Sequence, residues 1–272
     1  MKKLLALTMS ILMIAGVFAG CANTADKAAD YAQSVAKANI VAEAGSAGEE
    51  LATSEDFFKE SNFTPVDSMA KALMEVSAGT ADIAIVDYVT SIGSIGEGTD
   101  YADLKVVEGK DFSPEEYGIA FRKGSDLTAA VNEAIAALAA DGTMDKIGKD
   151  YKLDALLIKD GKANEGEVIE GDLAYIKEKG ELVIGITLFA PMNYYDDNNE
   201  LIGFETEFAK AVCEKLGVKA KFVEINWDAK EVELESKNID CIWNGMTITE
   251  ERLANMSISV PYMQNKQVMV SK

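Results

Sequence analysis

Two charged side chains of the sequence have the chemistry and the setting to hold a small zwitterion. Arg252 lies five residues after Thr247, in a segment where Thr247 and Glu250 have the spacing of a capping box that starts a helix. A guanidinium beside the N–H groups of a helix start can hold a carboxylate through two hydrogen bonds. Asp87 ends an apolar run at residues 83–86, where it either caps the next helix or faces a ligand ammonium. These residue types favour a site for one carboxylate and one ammonium.

A turn of small residues is a second candidate for carboxylate binding. Residues 43–48 read Glu-Ala-Gly-Ser-Ala-Gly, between a short apolar strand and a predicted helix. Small side chains let a ligand approach the backbone, and a helix N-terminus presents N–H groups and a positive dipole end to an anion. An ordinary turn between a strand and a helix explains this motif equally well.

Aromatic side chains fall near strand ends in the second half of the sequence, at Phe189, Tyr194, Trp227 and Trp243. An aromatic residue more often belongs to a hydrophobic core than to a ligand site. Beside carboxylate donors and one acid, these rings are consistent with aromatic walls around a zwitterion. The sequence shows no pair of side chains spaced for acid–base or nucleophilic catalysis, so we expect a binding protein rather than an enzyme.

Composition argues against several other functions. The 272 residues include no histidine, which excludes a Ser-His-Asp triad, a Cys-His pair and His-ligated zinc or iron. The chain carries 46 Asp and Glu against 26 Lys and Arg, a formal net charge of −20, so nucleic acid is not an expected partner. The acidic turn at residues 196–199 lacks the Gly and the final Glu of a calcium loop, and we predict a hairpin there. We expect neither a metal nor a cofactor.

Two cysteines lie beyond the N-terminal segment, Cys213 in a helical pattern and Cys241 in a strand pattern. Neither belongs to a CxxC pair, so the sequence shows no zinc or redox motif. Export from the cell would permit a disulfide between them. We favour two buried thiols that behave as small apolar side chains.

The N-terminal segment has the pattern of an export signal. Lys2 and Lys3 precede an apolar run at residues 4–18, which is shorter than the roughly 20 residues that a membrane-spanning helix needs. The run ends in Ala-Gly-Cys, which resembles a bacterial lipobox with Cys21 as the lipidated mature N-terminus. We therefore predict a signal peptide over 1–20, a lipid-anchored tether over 21–36 and an extracytoplasmic protein held on the outer face of the cell membrane. The alternative is a plain signal peptide cleaved near a cysteine.

Short apolar strands alternate with amphipathic helices along the rest of the chain. This alternation is typical of an α/β fold with a mostly parallel sheet. Strands are predicted at residues 39–42, 83–86, 117–121, 182–186, 221–225 and 239–243, and helices from residue 49 and over 69–77, 127–140, 204–216 and 232–236. Residues 159–172 are rich in Gly, Glu and Lys without an apolar period, so we interpret them as a linker.

Two stretches of sequence, residues 72–87 and 232–244, repeat the order helix, tight turn, Asp and apolar strand. The repeat indicates two similar lobes. In open α/β sheets, ligands bind beyond the carboxyl ends of the strands, which is where the candidate side chains fall.

Four spaced motifs carry a resemblance to a known family. Residues 182–185, 201–212, 239–252 and 261–262 resemble, in that order, the N-terminal half of polar amino acid-binding proteins, the extracytoplasmic solute receptors of ABC importers. Residues 39–150 resemble the C-terminal half of the same family. Because the halves are swapped, we predict a circularly permuted form of the two-lobed, periplasmic-binding-protein-like (type II) α/β clamp.

The resemblance implies a division of the chain into two lobes. Lobe 2 is expected over residues 37–117, and the discontinuous lobe 1 over 118–158 plus 175–272. A linker at 159–174 would join what are usually the C-terminus and the N-terminus. We expect one covalent crossing between the lobes near residues 116–121, with pairing of residues 266–272 replacing the other.

The resemblance also implies which groups hold the ligand α-carboxylate. They are the Arg252 guanidinium, the backbone N–H of Thr247, and N–H groups near Ser46 and Ala47 from the other lobe. The α-ammonium would bind Asp87 and the carbonyl oxygen of Gly245.

Further positions would contact the ligand side chain. Phe189 and Trp227 would stack on it, and Asn244 belongs to the same site segment. Thr187 lies roughly where many members of the family have an Asp. Glu43 stands where some members carry Lys or Gln, which indicates a cationic or amide side chain on the ligand; alternatively, Glu43 faces solvent.

The family implies a function as well. A monomer would bind a free amino acid with a polar or cationic side chain, close its lobes, and deliver the ligand to an ABC importer permease. One alternative is a lipoprotein that presents the bound ligand to a sensor or partner protein. The other is a dehydratase-like enzyme on the same fold, for which Glu43 is the candidate acid.

Overall fold

The computed structural model describes residues 35, 37–108, 110–164, 166 and 168–272. The predicted signal peptide over 1–20, the lipidation site Cys21 and nearly all of the tether predicted over 21–36 lie outside these residues. Within the described residues, no helix is both long and apolar enough to cross a membrane. The predicted α/β class is confirmed, because strands and helices alternate through the described chain.

The elements of the fold have the following bounds. The strands are β1 (Asn39–Glu43), β2 (Asn62–Val66), β3 (Ile83–Asp87), β4 (Lys105–Val106), β5 (Pro114–Tyr117), β6 (Ala120–Arg122), β7 (Glu181–Ile186), β8 (Tyr194–Tyr195), β9 (Leu201–Ile202), β10 (Lys219–Glu224), β11 (Cys241–Ile242), β12 (Met256–Ile258) and β13 (Met263–Ser271). The α-helices are α1 (Ala47–Ser54), α2 (Met69–Ala78), α3 (Tyr88–Ser94), α4 (Leu127–Ala140), α5 (Thr143–Asp150), α6 (Asp172–Lys179), α7 (Phe204–Leu216), α8 (Lys230–Glu235) and α9 (Glu250–Asn255). Short 3-10 turns cover Asp56–Phe58, Asp154–Leu156 and Trp227–Ala229.

The first sheet has the strand order β2-β1-β3-β13-β4, and β5 also pairs with β13. β1 lies parallel to both β2 and β3. Every residue of β3 is buried, as expected for a strand covered on both faces. Helix α2, between β2 and β3, begins where the Ser68 hydroxyl accepts from the Lys71 N–H, and it ends at Gly79 with a φ of 77°.

The second sheet has the order β10-β7-β11-β6-β12, with β6 antiparallel to both of its neighbours. Helices α4 and α7 share its core and have the bounds predicted from their apolar period. The buried residues that recur at helical spacing on these two helices are Val131, Ile135, Leu138, Phe204, Phe208 and Val212.

The chain passes covalently between the two sheets twice, from β5 to β6 and from β12 to β13. The two crossings also pair with each other, with Met263 opposite Tyr117. The expectation of a single covalent crossing is therefore wrong. Strand β13 lies antiparallel to β3 in the first sheet over Gln267–Val270, which agrees with the expected pairing of residues 266–272. The predicted boundary is wrong for this strand, because it assigns all of 175–272 to lobe 1. Buried apolar side chains of β13 complete the core of that sheet.

The segment predicted as a linker over 159–174 leads directly into a helix that the sequence pattern did not indicate. Helix α6 begins at Asp172, and its start is held by Asp126, whose carboxylate accepts the N–H groups of Gly171 at 3.0 Å and Leu173 at 2.8 Å. The acceptor lies 45 residues earlier in the chain, so local sequence gives no signal for it. Upstream, the Ile158 N–H donates to the carbonyl oxygen of Tyr262, so the segment starts beside the second crossing.

The predictions for the two cysteines and for the acidic turn are both confirmed. Cys213 and Cys241 are both buried and free, as favoured over a disulfide. The acidic residues at 196–199 form the turn of a hairpin, because β8 and β9 on either side pair antiparallel.

Candidate functional site

The predicted site residues converge where strands of both sheets end. Glu43 is the last residue of β1, Asp87 is the last residue of β3, and Thr187 follows β7. Arg252 comes from α9 on the side of the second sheet. All four side chains are buried, with exposed fractions between 2% and 8%. The solvent-facing alternative for Glu43 is wrong, since only 2% of it is exposed.

Asp87 is a buried acid held by side-chain amides. Its Oδ1 accepts from the Asn265 amide at 3.0 Å and from the Gln267 amide. Although Asp87 is the residue before α3, its side chain makes no capping hydrogen bond, so the carboxylate is directed to the site and not to the helix. Burial, and then the nearby Glu115, raise the pKa of Asp87 to about 7.

Glu115 is a second acid in the site that sequence reasoning missed. Its Oε2 accepts from the same two amides as Asp87, at 2.9 Å from Asn265 and 3.0 Å from Gln267, and from the Thr247 hydroxyl at 3.3 Å. Burial raises the pKa of Glu115 as well. The one signal in the sequence is the spacing of Asn265 and Gln267, which places both amides on one face of a strand.

Arg252 supplies the guanidinium of the site. Its Nη1 donates to the carbonyl oxygen of Thr247 at 2.8 Å, and burial lowers its pKa. The capping box predicted from Thr247 and Glu250 is wrong, because α9 begins at Glu250 and its cap is the Thr249 hydroxyl, which accepts from the Arg252 N–H at 3.2 Å. The Thr247 hydroxyl is thereby available to the site.

The turn of small residues at 43–48 crosses from β1 to α1. The Ser46 hydroxyl caps α1 by accepting from the Glu49 N–H, while the Ser46 N–H donates to the carbonyl oxygen of Glu43. The first N–H groups of a helix have no partner within the helix, so Ala47 is the better carboxylate donor of this turn. Gly45 has a φ of 70°, a backbone conformation that favours glycine.

Lys230 reaches the site turn from the side of the second sheet. Its Nζ donates to the carbonyl oxygen of Gly45 at 2.9 Å and to that of Trp227 at 3.3 Å, and it lies 5.0 Å from the centre of the Trp227 ring. Burial, and then Arg252, lower the pKa of Lys230 to about 8. This contact joins the two sheets beside the site, and sequence reasoning did not single it out.

Glu43 has an incomplete set of partners. Its Oε1 is buried with no hydrogen-bond partner among the described residues. Burial, and then Asp87, raise its pKa to about 8. A buried carboxyl oxygen without a partner is a group to which a ligand donor could bind.

The aromatic residues divide into two groups. Phe189 and Trp227 are 3% and 4% exposed beside the site, and a Cβ on Gly245 would lie 3.0 Å from the Phe189 ring. Trp243 instead packs edge-on against Phe208 in the core, and Tyr194 lies in the β8–β9 hairpin. The first two therefore stay candidates for ligand contact.

Asn244 has a structural role that uses its whole amide. Its Oδ1 accepts from the N–H and the hydroxyl of Thr187, and its Nδ2 donates to the Thr187 carbonyl oxygen and to Asn193. These four bonds exhaust its donors and its usual acceptor positions. Its side chain fixes the ends of β7 and β11, and direct contact with a ligand has no support in this arrangement.

A cleft of about 840 Å³ adjoins the site. Ala47, Glu115, Thr247 and Asn265 are among the residues that line it. Helix α3 also approaches the loop after β7, where a Cβ on Gly93 would lie 2.6 Å from Pro191. Among the described residues, no group of three or more Cys, Asp or Glu side chains could hold a metal ion.

The fold and the site together define a class of protein. Two α/β units, joined by two crossing segments, meet over a buried guanidinium, buried acids and two aromatic rings. This arrangement offers partners to both a carboxylate and an ammonium group of a small ligand.

Part of the chain is similar to known proteins. Residues 182–272 match the family described as bacterial extracellular solute-binding proteins, family 3. The L-cystine-binding protein TcyJ of Escherichia coli (strain K12) is 37% identical over 105 residues, which is 38% of this chain and 40% of that protein. The ABC transporter arginine-binding protein 1 of the same strain is 31% identical over 84 residues, 31% of this chain and 35% of that protein.

A solved structure is also similar to part of the chain. The arginine-bound form of domain 1 from TmArgBP is 32% identical, covering 32% of this chain and 84% of that chain with a TM-score of 0.29. The chain matches this family over residues 182–272, about one third of its length. It spans about two fifths or less of the length of the curated relatives named above.

Proposed function

We propose that the protein binds a free amino acid between two lobes and delivers it to the permease of an ABC importer. The observation that carries this proposal is Arg252, a buried cation that forms no ion pair with a carboxylate of the described residues. Burying an uncompensated charge is costly, and a ligand α-carboxylate would compensate it. The names of the relatives, which refer to cystine and arginine binding, support an amino acid as the ligand.

The proposed contacts follow from the geometry. The α-carboxylate binds Arg252 and the N–H groups of Thr247 and Ala47. The α-ammonium binds Asp87, whose carboxylate is buried on the opposite side, and the carbonyl oxygen of Gly245. Binding to groups from both sheets favours the closed arrangement of the clamp, because the ligand makes all of these contacts only when the sheets are close.

The ligand side chain is proposed to be polar or cationic. Glu43 offers a buried oxygen without a partner, and Phe189 and Trp227 provide flat apolar walls. A guanidinium, ammonium or amide group could donate to Glu43 while its carbon chain packs between the rings. An acidic side chain would bring a further carboxyl group beside the buried acids Glu43 and Asp87 and is disfavoured.

The order of the two halves is proposed to be a circular permutation of the family's clamp. The family match begins at residue 182, so the segment that resembles the family's N-terminal half lies last in this chain. Lobe 2 is proposed over 37–117 together with β13, and lobe 1 over 118–158 plus 175–262. The segment 159–174 joins the two halves of lobe 1. We further propose export, with a lipid on Cys21 holding a monomer on the outer face of the cell membrane.

The first experiment is a thermal-shift screen of the chain from residue 22 onward against the twenty amino acids. A ligand at a hundred times its dissociation constant stabilises a protein by about 2.7 kcal/mol, which gives a clear rise in Tm. We expect a rise with one or a few polar or cationic amino acids. No rise with any amino acid, for a protein shown to be folded, would refute the proposal.

The Arg252→Ala variant tests the site itself. Removing one partner of a buried charge pair costs about 2–5 kcal/mol of binding, so micromolar binding should be lost. Lys266→Ala is the matched control, since Lys266 lines the cleft beside the site but pairs with Asp111 at 2.9 Å. If the Arg252→Ala variant bound as tightly as the Lys266→Ala variant, the site assignment would be incorrect.

A second candidate function is an elimination reaction on the same fold, favoured by one observation. The raised pKa of Glu43, about 8, keeps this buried carboxyl protonated at neutral pH, as a general acid requires. Turnover of cyclic carboxylates by the purified protein, lost in Glu43→Gln, would support it. Tight amino acid binding without turnover would leave transport as the function.

A further inference from the structure

Glu205 is a fully buried acid beside the site to which no role has been assigned so far. It lies in the first turn of α7, with an exposed fraction of 0%. Its Oε1 accepts the Gly245 N–H at 2.9 Å and the hydroxyl of Tyr262. Its Oε2 is buried without a partner among the described residues.

The surroundings of Glu205 make its burial costly. Tyr262 packs between the rings of Phe204 and Trp243, each with its centre 6.4 Å away. Burial raises the pKa of Glu205 to about 7, although the bonds from Tyr262 and Gly245 oppose that rise. An apolar side chain would avoid the cost of burying a carboxyl group but would leave the Gly245 N–H without its acceptor.

Gly245 needs an anchor because of its own backbone. Its φ of 57° lies in the left-handed region, and the space around it is limited by Phe189 and Tyr117, 3.0 Å and 3.3 Å from the position of a Cβ. Glycine is therefore the residue that fits, yet glycine also has the largest freedom to rotate its peptide groups. A bond to its N–H restricts that rotation.

We propose that Glu205 is a positioning residue for recognition of the ligand ammonium. By holding the N–H of Gly245, Glu205 fixes the orientation of the residue whose carbonyl oxygen accepts the ammonium. The same carboxylate accepts from Tyr262, one residue before β13, so it also ties the site loop to the second crossing. This inference rests on the proposed function, which supplies the ammonium.

The experiment compares amino acids with analogues that lack the α-ammonium. The pairs are L-arginine with δ-guanidinovalerate, L-lysine with ε-aminocaproate, and L-glutamine with glutaramate. Dissociation constants are measured by calorimetry for the wild-type protein and for Glu205→Ala, Glu205→Gln and Tyr262→Phe. Hydrogen exchange of the Gly245 amide, followed by NMR without ligand, is a second measurement on the same proteins.

Loss of the anchor should weaken binding of the amino acid but not of its analogue. In Glu205→Ala, we expect the preference for the amino acid to fall by about tenfold or more, since hydrogen bonds to charged groups have effects of this size. Affinity for the analogue should change less than about threefold. Glu205→Gln keeps an acceptor for the Gly245 N–H and should restore the preference, and Tyr262→Phe leaves that bond in place and should retain it.

The Gly245 amide should exchange at least about tenfold faster in Glu205→Ala and remain protected in Glu205→Gln. An equal loss of affinity for both members of a pair would overturn the inference, because it would show a general structural effect. An unchanged exchange rate would also overturn it. If the wild-type protein bound none of the amino acids, the proposed function would fail first; faster exchange in Glu205→Ala would then leave Glu205 with a structural role alone.

Discussion

Replacement of Glu43 by glutamine should change how the stability of the unliganded protein depends on pH. Glu43 is 2% exposed, and its pKa is raised from 4.5 to about 8, first by burial and then by Asp87. The folded protein therefore retains a proton on Glu43 in a pH range where the unfolded chain has lost it. Between pH about 4.5 and 8 the unfolded state binds fewer protons, so stability falls as pH rises.

The size of the effect follows from the same shift. While Glu43 is protonated in the folded state and unprotonated in the unfolded chain, the free energy of unfolding falls by about 1.4 kcal/mol per pH unit. Across the interval from pH 5 to pH 7.5, Glu43 alone accounts for a loss of about 3 kcal/mol. Asp87 and Glu205 shift in the same direction and add to the fall, whereas the lowered pKa of Lys230 acts only above pH 8.

Urea unfolding at pH 5, 6, 7 and 7.5 measures the effect, with the free energy of unfolding extrapolated to water. Glu43→Gln should lose less stability than the wild-type protein across this range, by about 3 kcal/mol. Glu133→Gln is the matched control, because Glu133 is exposed on α4, and its pH dependence should equal that of the wild-type protein. Equal slopes for Glu43→Gln and the wild type would refute a proton held on Glu43 in the folded state.

Two further substitutions separate closure from stability. Gly93→Ala places a methyl group 2.6 Å from Pro191, so the two lobes should close less completely. We expect at least about tenfold weaker amino acid binding and a larger radius of gyration by X-ray scattering. The free energy of unfolding should stay within about 1 kcal/mol of the wild type. Weaker unfolding stability with unchanged affinity would contradict this. Arg122→Ala should do the reverse, because Arg122 pairs with Asp172 at 3.1 Å and lies 4.0 Å from Asp240, away from the site. Its loss should cost about 3–5 kcal/mol of stability in urea unfolding and leave the affinity of the folded protein nearly unchanged; a large affinity loss would link Arg122 to the site.

Local sequence was sufficient for elements whose stability depends on their own apolar period. The bounds of α4 and α7 were predicted to the residue, and β3 was predicted to end at Asp87. It was not sufficient where a distant residue decides the outcome. Helix α6 was missed because Asp126 holds its start from 45 residues away. The error at α9 was of another kind, because its cap was placed at Thr247, two residues before the Thr249 that forms it.

The candidate site shows the same division. Arg252, Asp87, Phe189 and Trp227 were singled out from residue type and local position, and Glu43 from the family resemblance; all five side chains are buried. Three further groups at or beside the site, Glu115, Lys230 and Glu205, were not singled out from the sequence; for Glu115 the only sequence signal is the spacing of its partners Asn265 and Gln267.

The sequence by itself determined the α/β alternation, the acidic composition without histidine, and which side chains end the strands, because these depend on residue type and local spacing. Only the tertiary structure decided that the chain crosses between the sheets twice, with the second crossing running from β12 into β13. It also decided that the Asn244 amide forms hydrogen bonds with Thr187 and that Glu205 accepts the Gly245 N–H. Hydrogen bonds and burial of this kind join residues that are 40 or more positions apart, and a buried polar group can be recognised only when its partners are known.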